Sequence, residues 1–128
     1  VLDEFVVVPL AVGRAEPERV AAVLDALWGA EETVVVVSSD LSHFLSYREA
    51  THADRRTLTL IERQEPVLTH AQACGATPVN GLLVATSRRG MRPEVLRACN
   101  SGDTAGDRTR VVGYAAVVFD ALPEGRSP

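Results

Sequence analysis

Apolar and polar positions follow two different periods along this chain. Residues 34–37 are an unbroken β-branched run that ends directly in the polar cluster Ser38, Ser39, Asp40, Ser42 and His43. Such a run suits a strand buried on both faces, as in a parallel sheet covered by helices. Residues 5–12 have the same character, with Pro9 removing one ladder donor, and predict a first buried strand closed by Gly13. Between the two, Pro17 fits the first turn of a helix. Val20, Val23, Leu24, Leu27 and Trp28 then form one apolar stripe at helical spacing, which Gly29 ends. With a second strand at 33–37, the opening predicts a βαβ unit with a right-handed crossover.

Further along, Ser46-Tyr-Arg-Glu49 is a capping-box pattern and predicts a helix over 47–62. Tyr47, Ala50, Asp54, Leu58 and Ile61 share one face of it. Asp54 is the odd member, because a carboxylate on an apolar face must be paired or hydrogen-bonded. Its simplest partner is a backbone N–H, and bracing of the loop that carries Asp40 and His43 is the alternative. Glu65-Pro66 predicts a short helix through Ala71. In the stretch CGATPVNG, residues 74–81, Pro78 is placed to open a helix carrying Val79, Leu82, Leu83 and Thr86, with Gly90 ending it after Arg88 and Arg89. Residues 94–99 and 111–119 predict two more strands, the second of them buried. The loop 100–107 between them is rich in turn formers but lacks the Lys and following helix of a phosphate-binding loop. Residues 120–128 read as a tail or linker.

Composition narrows the classes. A chain of 128 residues with 46% hydrophobic and 23% charged residues is long enough for one globular domain. The net charge of −4, with all 13 basic residues arginines scattered along the chain, argues against a basic nucleic-acid face. No apolar run approaches the ~20 residues that cross a bilayer. Two cysteines, Cys74 and Cys99, make no disulfide framework, and a cytoplasmic, reducing setting is expected. The chain opens on Val1 and enters a predicted strand at once, which reads as part of something longer.

Chemistry concentrates at three residues. Asp40 and His43 are a carboxylate and an imidazole three apart, just past a strand end, where open sheets bind ligands. They suit proton transfer or metal ligation; the plain alternative is that Ser38 and Asp40 only cap a turn. Cys74 precedes a helix N-terminus, where the backbone favours a thiolate, although most free cysteines are small buried hydrophobes. Together the three can ligate a transition metal or relay protons. A hydrolase triad of Ser38 or Ser39 with His43 and Asp40 fails, since triad members converge from separate elements and no nucleophile elbow is present. His70 and Cys74, four apart, do not make a zinc site alone. His52 lies in a charged helical segment and is most simply solvated.

The order EFVVVPLAVG, VVVVSSDLSH, CGATPVNGLL, SGDTAGD and VVGYAAVVF resembles the MEMO family, named in bacteria and archaea as the B component of the AmmeMemoRadiSam system. The resemblance covers nearly the whole chain up to Phe119, and SSD-x-x-H with CG-x-x-P is its specific part. It implies an α/β fold of three layers, αβα, around a mostly parallel or mixed sheet, similar to the catalytic subunit of class III extradiol ring-cleaving dioxygenases. It also implies that His43 stands where those enzymes keep an acid–base histidine, that Cys74 replaces a carboxylate iron ligand, and that Asp40 belongs to the same pocket. Two further site histidines are implied upstream, making residues 1–119 the C-terminal part of a MEMO-like domain. With Cys74 in a ligand position, ring cleavage is not expected. The implied cofactor is copper or iron and the implied partner a radical-SAM protein. A non-catalytic module that holds a peptide or protein in the same cleft is the alternative.

Overall fold

A proline gives up only an amide that the first helical turn leaves unbonded, and Pro17 accordingly heads α1 (Pro17–Leu27). The computed structural model describes residues 4–29, 32–104 and 106–121. The face that α1 buries holds Val20, Ala21 and Leu24, leaving Val23 and Leu27 of the predicted stripe exposed. The rotation follows from α3 (Ala76–Arg88), which crosses so closely that a Cβ at Gly81 would overlap the Val20 side chain. Small residues let the two backbones approach, and Val20, Ala21 and Leu24 then meet Leu82 and Ala85 in one cluster. Arg88 at the end of α3 and Arg89, which caps it, both reach Asp25 of α1, and the Arg89 guanidinium also lies 4.4 Å over the Trp28 ring.

Helix α2 (Tyr47–Glu62) begins where the capping box predicts, with the Ser46 N–H donating to Glu49 Oε2 at 3.2 Å. It buries Ala50, Asp54, Thr57, Leu58 and Ile61. Helix α3 starts two residues before Pro78, which sits in its first turn, and the chain leaves it through Gly90 at φ +66°. A left-handed φ of this kind is where glycine is favoured.

Strands β1 (His43–Leu45), β2 (Met91–Asn100) and β3 (Val111–Ala121) form a sheet in the order β1-β3-β2, with both pairs antiparallel. Leu58 and Ile61 of α2 and Leu83 of α3 pack with Leu41, Leu68, Ala73 and Ala76 to form the main core, against Val95, Ala115, Val117 and Phe119 of the sheet. The architecture is α/β, as expected.

Several local expectations need correction. Residues 5–12 are exposed and make no strand, Val6 being 91% exposed, so they are not a buried strand here. Residues 33–37 carry no regular structure and bury alternate side chains only. Val35 and Val37 pack against the α1–α3 cluster, while Val34 and Val36 are 80% and 83% exposed. Neither segment joins a ladder among the described residues, so the βαβ unit is not formed and the ladders that exist are antiparallel. Residues 65–71 are not helical. There the Asn80 side chain occupies both backbone groups of Leu68, accepting its N–H at 3.0 Å and donating to its carbonyl at 2.9 Å, which competes with helical bonding. The expected tail is ordered as strand through Ala121; its remainder, 122–128, and the opening residue Val1 lie outside the described residues.

Candidate functional site

The polar cluster begins at Ser38 and reaches β3. Leu41 N–H donates to the Gly113 carbonyl and Gly113 N–H to the Ser42 carbonyl, each at 2.9 Å, so Leu41 and Ser42 are stitched to the sheet through both backbone groups of Gly113. The next residue is His43, the first of β1. Across from it the segment before α3 closes in. Cys74 N–H donates to the Asp40 carbonyl at 3.2 Å, and Asp40 N–H donates to Cys74 Sγ at 3.2 Å. Ser39 Oγ donates to the Asp40 carbonyl and accepts from Gly75 N–H, both at 2.8 Å, and lies 3.7 Å from Cys74 Sγ. Glycine is required at 75, since a Cβ there would come within 2.7 Å of Ser39 Cβ.

These contacts gather the three residues singled out from the sequence. One carboxylate oxygen of Asp40, one ring nitrogen of His43 and Cys74 Sγ lie within 4.8 Å of one another. His43 Nε2 is 3.6 Å from Asp40 Oδ2, and both side chains are partly exposed. Nitrogen, oxygen and sulfur donors at that spacing fit a transition-metal ion, with the thiolate favouring softer metals.

The remaining candidates fall elsewhere. His70 turns its Nδ1 to the Cys74 carbonyl at 3.2 Å and its Nε2 to Thr77 Oγ1 at 3.4 Å. A carbonyl only accepts, so Nδ1 donates to it, and the ring steadies the turn without joining the donor group. His52 is exposed on α2. Ser39 bonds backbone and the Cys74 sulfur and, among the described residues, not His43, so the hydrolase arrangement does not form there.

Phe44 breaks β1 immediately after His43. Its φ is +60°, and the register between His43 and Leu45 shifts across it, so it is the extra residue of a bulge. A bulky residue in the left-handed region is strained, and bulges of this kind re-aim a neighbouring side chain. Phe44 is 63% exposed; its ring lies 5.8 Å from the His43 ring and carries the Arg110 guanidinium 4.9 Å over its face.

At the start of α2, the Tyr47 hydroxyl donates to Asp103 Oδ1 at 2.7 Å and the Asn100 N–H donates to Asp103 Oδ2 at 2.9 Å. The Asn100 amide foremost, and then the tyrosine hydroxyl, hold the Asp103 carboxyl below its ordinary range, while the same carboxylate pushes the Tyr47 phenol up. These bonds fix the loop between β2 and β3 against the start of α2. Two contributors were missed in the sequence: Ser39 as a backbone brace, and Gly113, over which Asp54 lies so closely that a Cβ would overlap its carboxylate. A glycine inside a strand pattern is the signal that marks such an approach.

The family model described as Memo-like protein matches residues 1–118. A MEMO1 family protein of Sulfolobus acidocaldarius is 29% identical over 132 residues, covering 91% of this chain and 45% of the relative. One from Archaeoglobus fulgidus is 30% identical, covering 91% of this chain and 49% of the relative. One from Aeropyrum pernix is 38% identical over 91 residues, covering 66% of this chain and 32% of the relative. The chain therefore spans about half the length, or less, of these curated relatives. The protein belongs to the Memo-like family.

Proposed function

We propose that this chain supplies part of a redox-metal pocket, with copper or iron as the metal and Asp40, His43 and Cys74 as its share of the donors. The observation that carries this reading is the convergence of three chemically different donor atoms within 4.8 Å, from two segments 34 residues apart. Thiolate and imidazole suit copper and iron, and the carboxylate can complete or orient the set. A metal bound there would supply Lewis acidity or one-electron exchange. His43 serves as a ligand through a ring nitrogen, or as the acid–base group of the dioxygenase-like arrangement, with Asp40 orienting it. Cys74 makes ring cleavage an unsuitable expectation.

We place this chemistry in the cytoplasm, where reducing conditions leave Cys74 a free thiol. No helix among the described residues is long and apolar enough to cross a membrane. A radical-SAM protein of the AmmeMemoRadiSam system is the partner that this reading carries.

A second reading is a non-catalytic module that holds a peptide or protein in the same cleft, favoured by the exposed Phe44 ring beside His43. Elemental analysis of the purified protein separates the two. Stoichiometric copper or iron that is lost in both Cys74→Ala and His43→Ala supports the metal pocket. Metal content unchanged in both variants contradicts it.

A further inference from the structure

Asp54 is 6% exposed, sits on the apolar face of α2, and belongs neither to the donor group nor to any ion pair among the described residues. Burying a carboxylate is costly, so its one strong interaction is informative. Asp54 Oδ1 accepts the Ser42 N–H at 2.9 Å. Ser42 is the residue between Leu41 and His43, and two residues from Asp40. The sheet holds the same segment as well, through the Leu41 N–H and the Ser42 carbonyl on Gly113. Gly113 has no side chain, and the Asp54 carboxylate occupies the space that a Cβ there would take. One carboxylate thus fills the gap between α2 and β3 and grips the peptide unit that joins Leu41 to Ser42. The Ser42 hydroxyl plays no part in this: it is buried without a hydrogen-bond partner among the described residues.

We propose that Asp54 is the positioning residue of the candidate metal site. It acts through the Ser42 N–H to set the spacing and direction of Asp40 and His43, and glycine at 113 is what admits it. The inference rests on the metal reading above. A backbone amide buried without an acceptor is costly, and the side-chain oxygen at position 54 satisfies the Ser42 N–H. Two residues on the same short segment then inherit their position from it, as outer partners orient ligands in other metal sites. The phenylalanine bulge that follows His43 makes such an anchor necessary, because a strained residue persists only where its surroundings hold it.

Linkage makes the role testable in both directions. If the Asp54–Ser42 bond favours the binding geometry, metal binding must strengthen that bond by the same factor. Cobalt(II) serves as the probe, followed by its absorption spectrum, with amide exchange of Ser42 measured in the same samples. Asp54→Ala is expected to weaken cobalt binding by about 10- to 100-fold. Asp54→Asn, which keeps an oxygen acceptor, should restore binding close to that of the unaltered protein, a rescue that mere loss of stability does not predict. In the unaltered protein, saturating cobalt should slow exchange of the Ser42 amide further. Unchanged cobalt affinity in Asp54→Ala overturns the proposal. Where that variant does not fold, a Ser42 amide whose exchange is indifferent to saturating cobalt overturns it instead. Failure of the unaltered protein to bind cobalt at all removes the metal reading and, with it, the positioning role, whereas binding without coupling to Ser42 removes the positioning role alone.

Discussion

Asp40 and Cys74 are joined twice, once by the Cys74 N–H on the Asp40 carbonyl and once by the Asp40 N–H on the cysteine sulfur. The sulfur is therefore placed by backbone rather than by side-chain packing, and a change of side chain at 74 leaves half of the clasp in place. That is why Cys74→Ala is a clean probe of the donor group. Ser42 offers a complementary one. Its hydroxyl is buried and unpaired among the described residues, so Ser42→Ala removes a desolvated polar group without touching the amide that Asp54 holds. Thermal or urea unfolding should find this variant more stable by about 1 kcal/mol, with metal binding retained. A destabilised Ser42→Ala would mean that the hydroxyl has a partner. The Asp103 carboxyl gives a pH signature. Held below its ordinary value of 3.8 in the folded state, it contributes stability that is full above that value and is lost as the pH falls through its depressed one. Asp103→Asn should flatten the acid limb of the stability profile below about pH 4; an unaltered slope would show that the bonds from Asn100 and Tyr47 do not favour the carboxylate.

At the scale of elements, the packing of α1 on α3 depends on the absence of a side chain at Gly81. Gly81→Ala should cost roughly 1–3 kcal/mol by overpacking, despite alanine's better helix propensity, and should separate the two helices. A neutral or stabilising effect in denaturant unfolding would place the crossing elsewhere. The same elements show what can be read from residues alone. Helix α2 was legible because its start signal and its apolar period agree, and α3 and the strands β2 and β3 were legible for similar reasons of pattern, whereas the antiparallel pairing of the two strands was not. The helix expected at 65–71 was not, because the decisive contact is Asn80 on the Leu68 backbone, a tertiary bond with no local mark. The valine runs at 5–12 and 33–37 misled for another reason. An unbroken apolar run specifies extended backbone but not which faces are covered, and Val34 and Val36 lie open where Val35 and Val37 pack. The three donor residues were legible as chemistry. The residues that hold them, Ser39, Asp54 and Gly113, emerge as a set only when the turn, the helix and the strand are seen together.

For the whole molecule, the Memo-like family match over residues 1–118 and the coverage of about half, or less, of each named relative define the frame. Within it, an antiparallel ladder, a capped helix and the turn before α3 bring oxygen, nitrogen and sulfur donors to one place. The central claim is that these atoms bind a metal together. Its most direct test is a titration with cobalt(II), watched through the sulfur-to-metal charge-transfer absorption that only a coordinated thiolate provides. The expected result is a band that saturates at one equivalent, is absent from Cys74→Ala and is weakened in His43→Ala and Asp40→Ala. A protein that develops no such band, or a band that survives in Cys74→Ala, would contradict the claim.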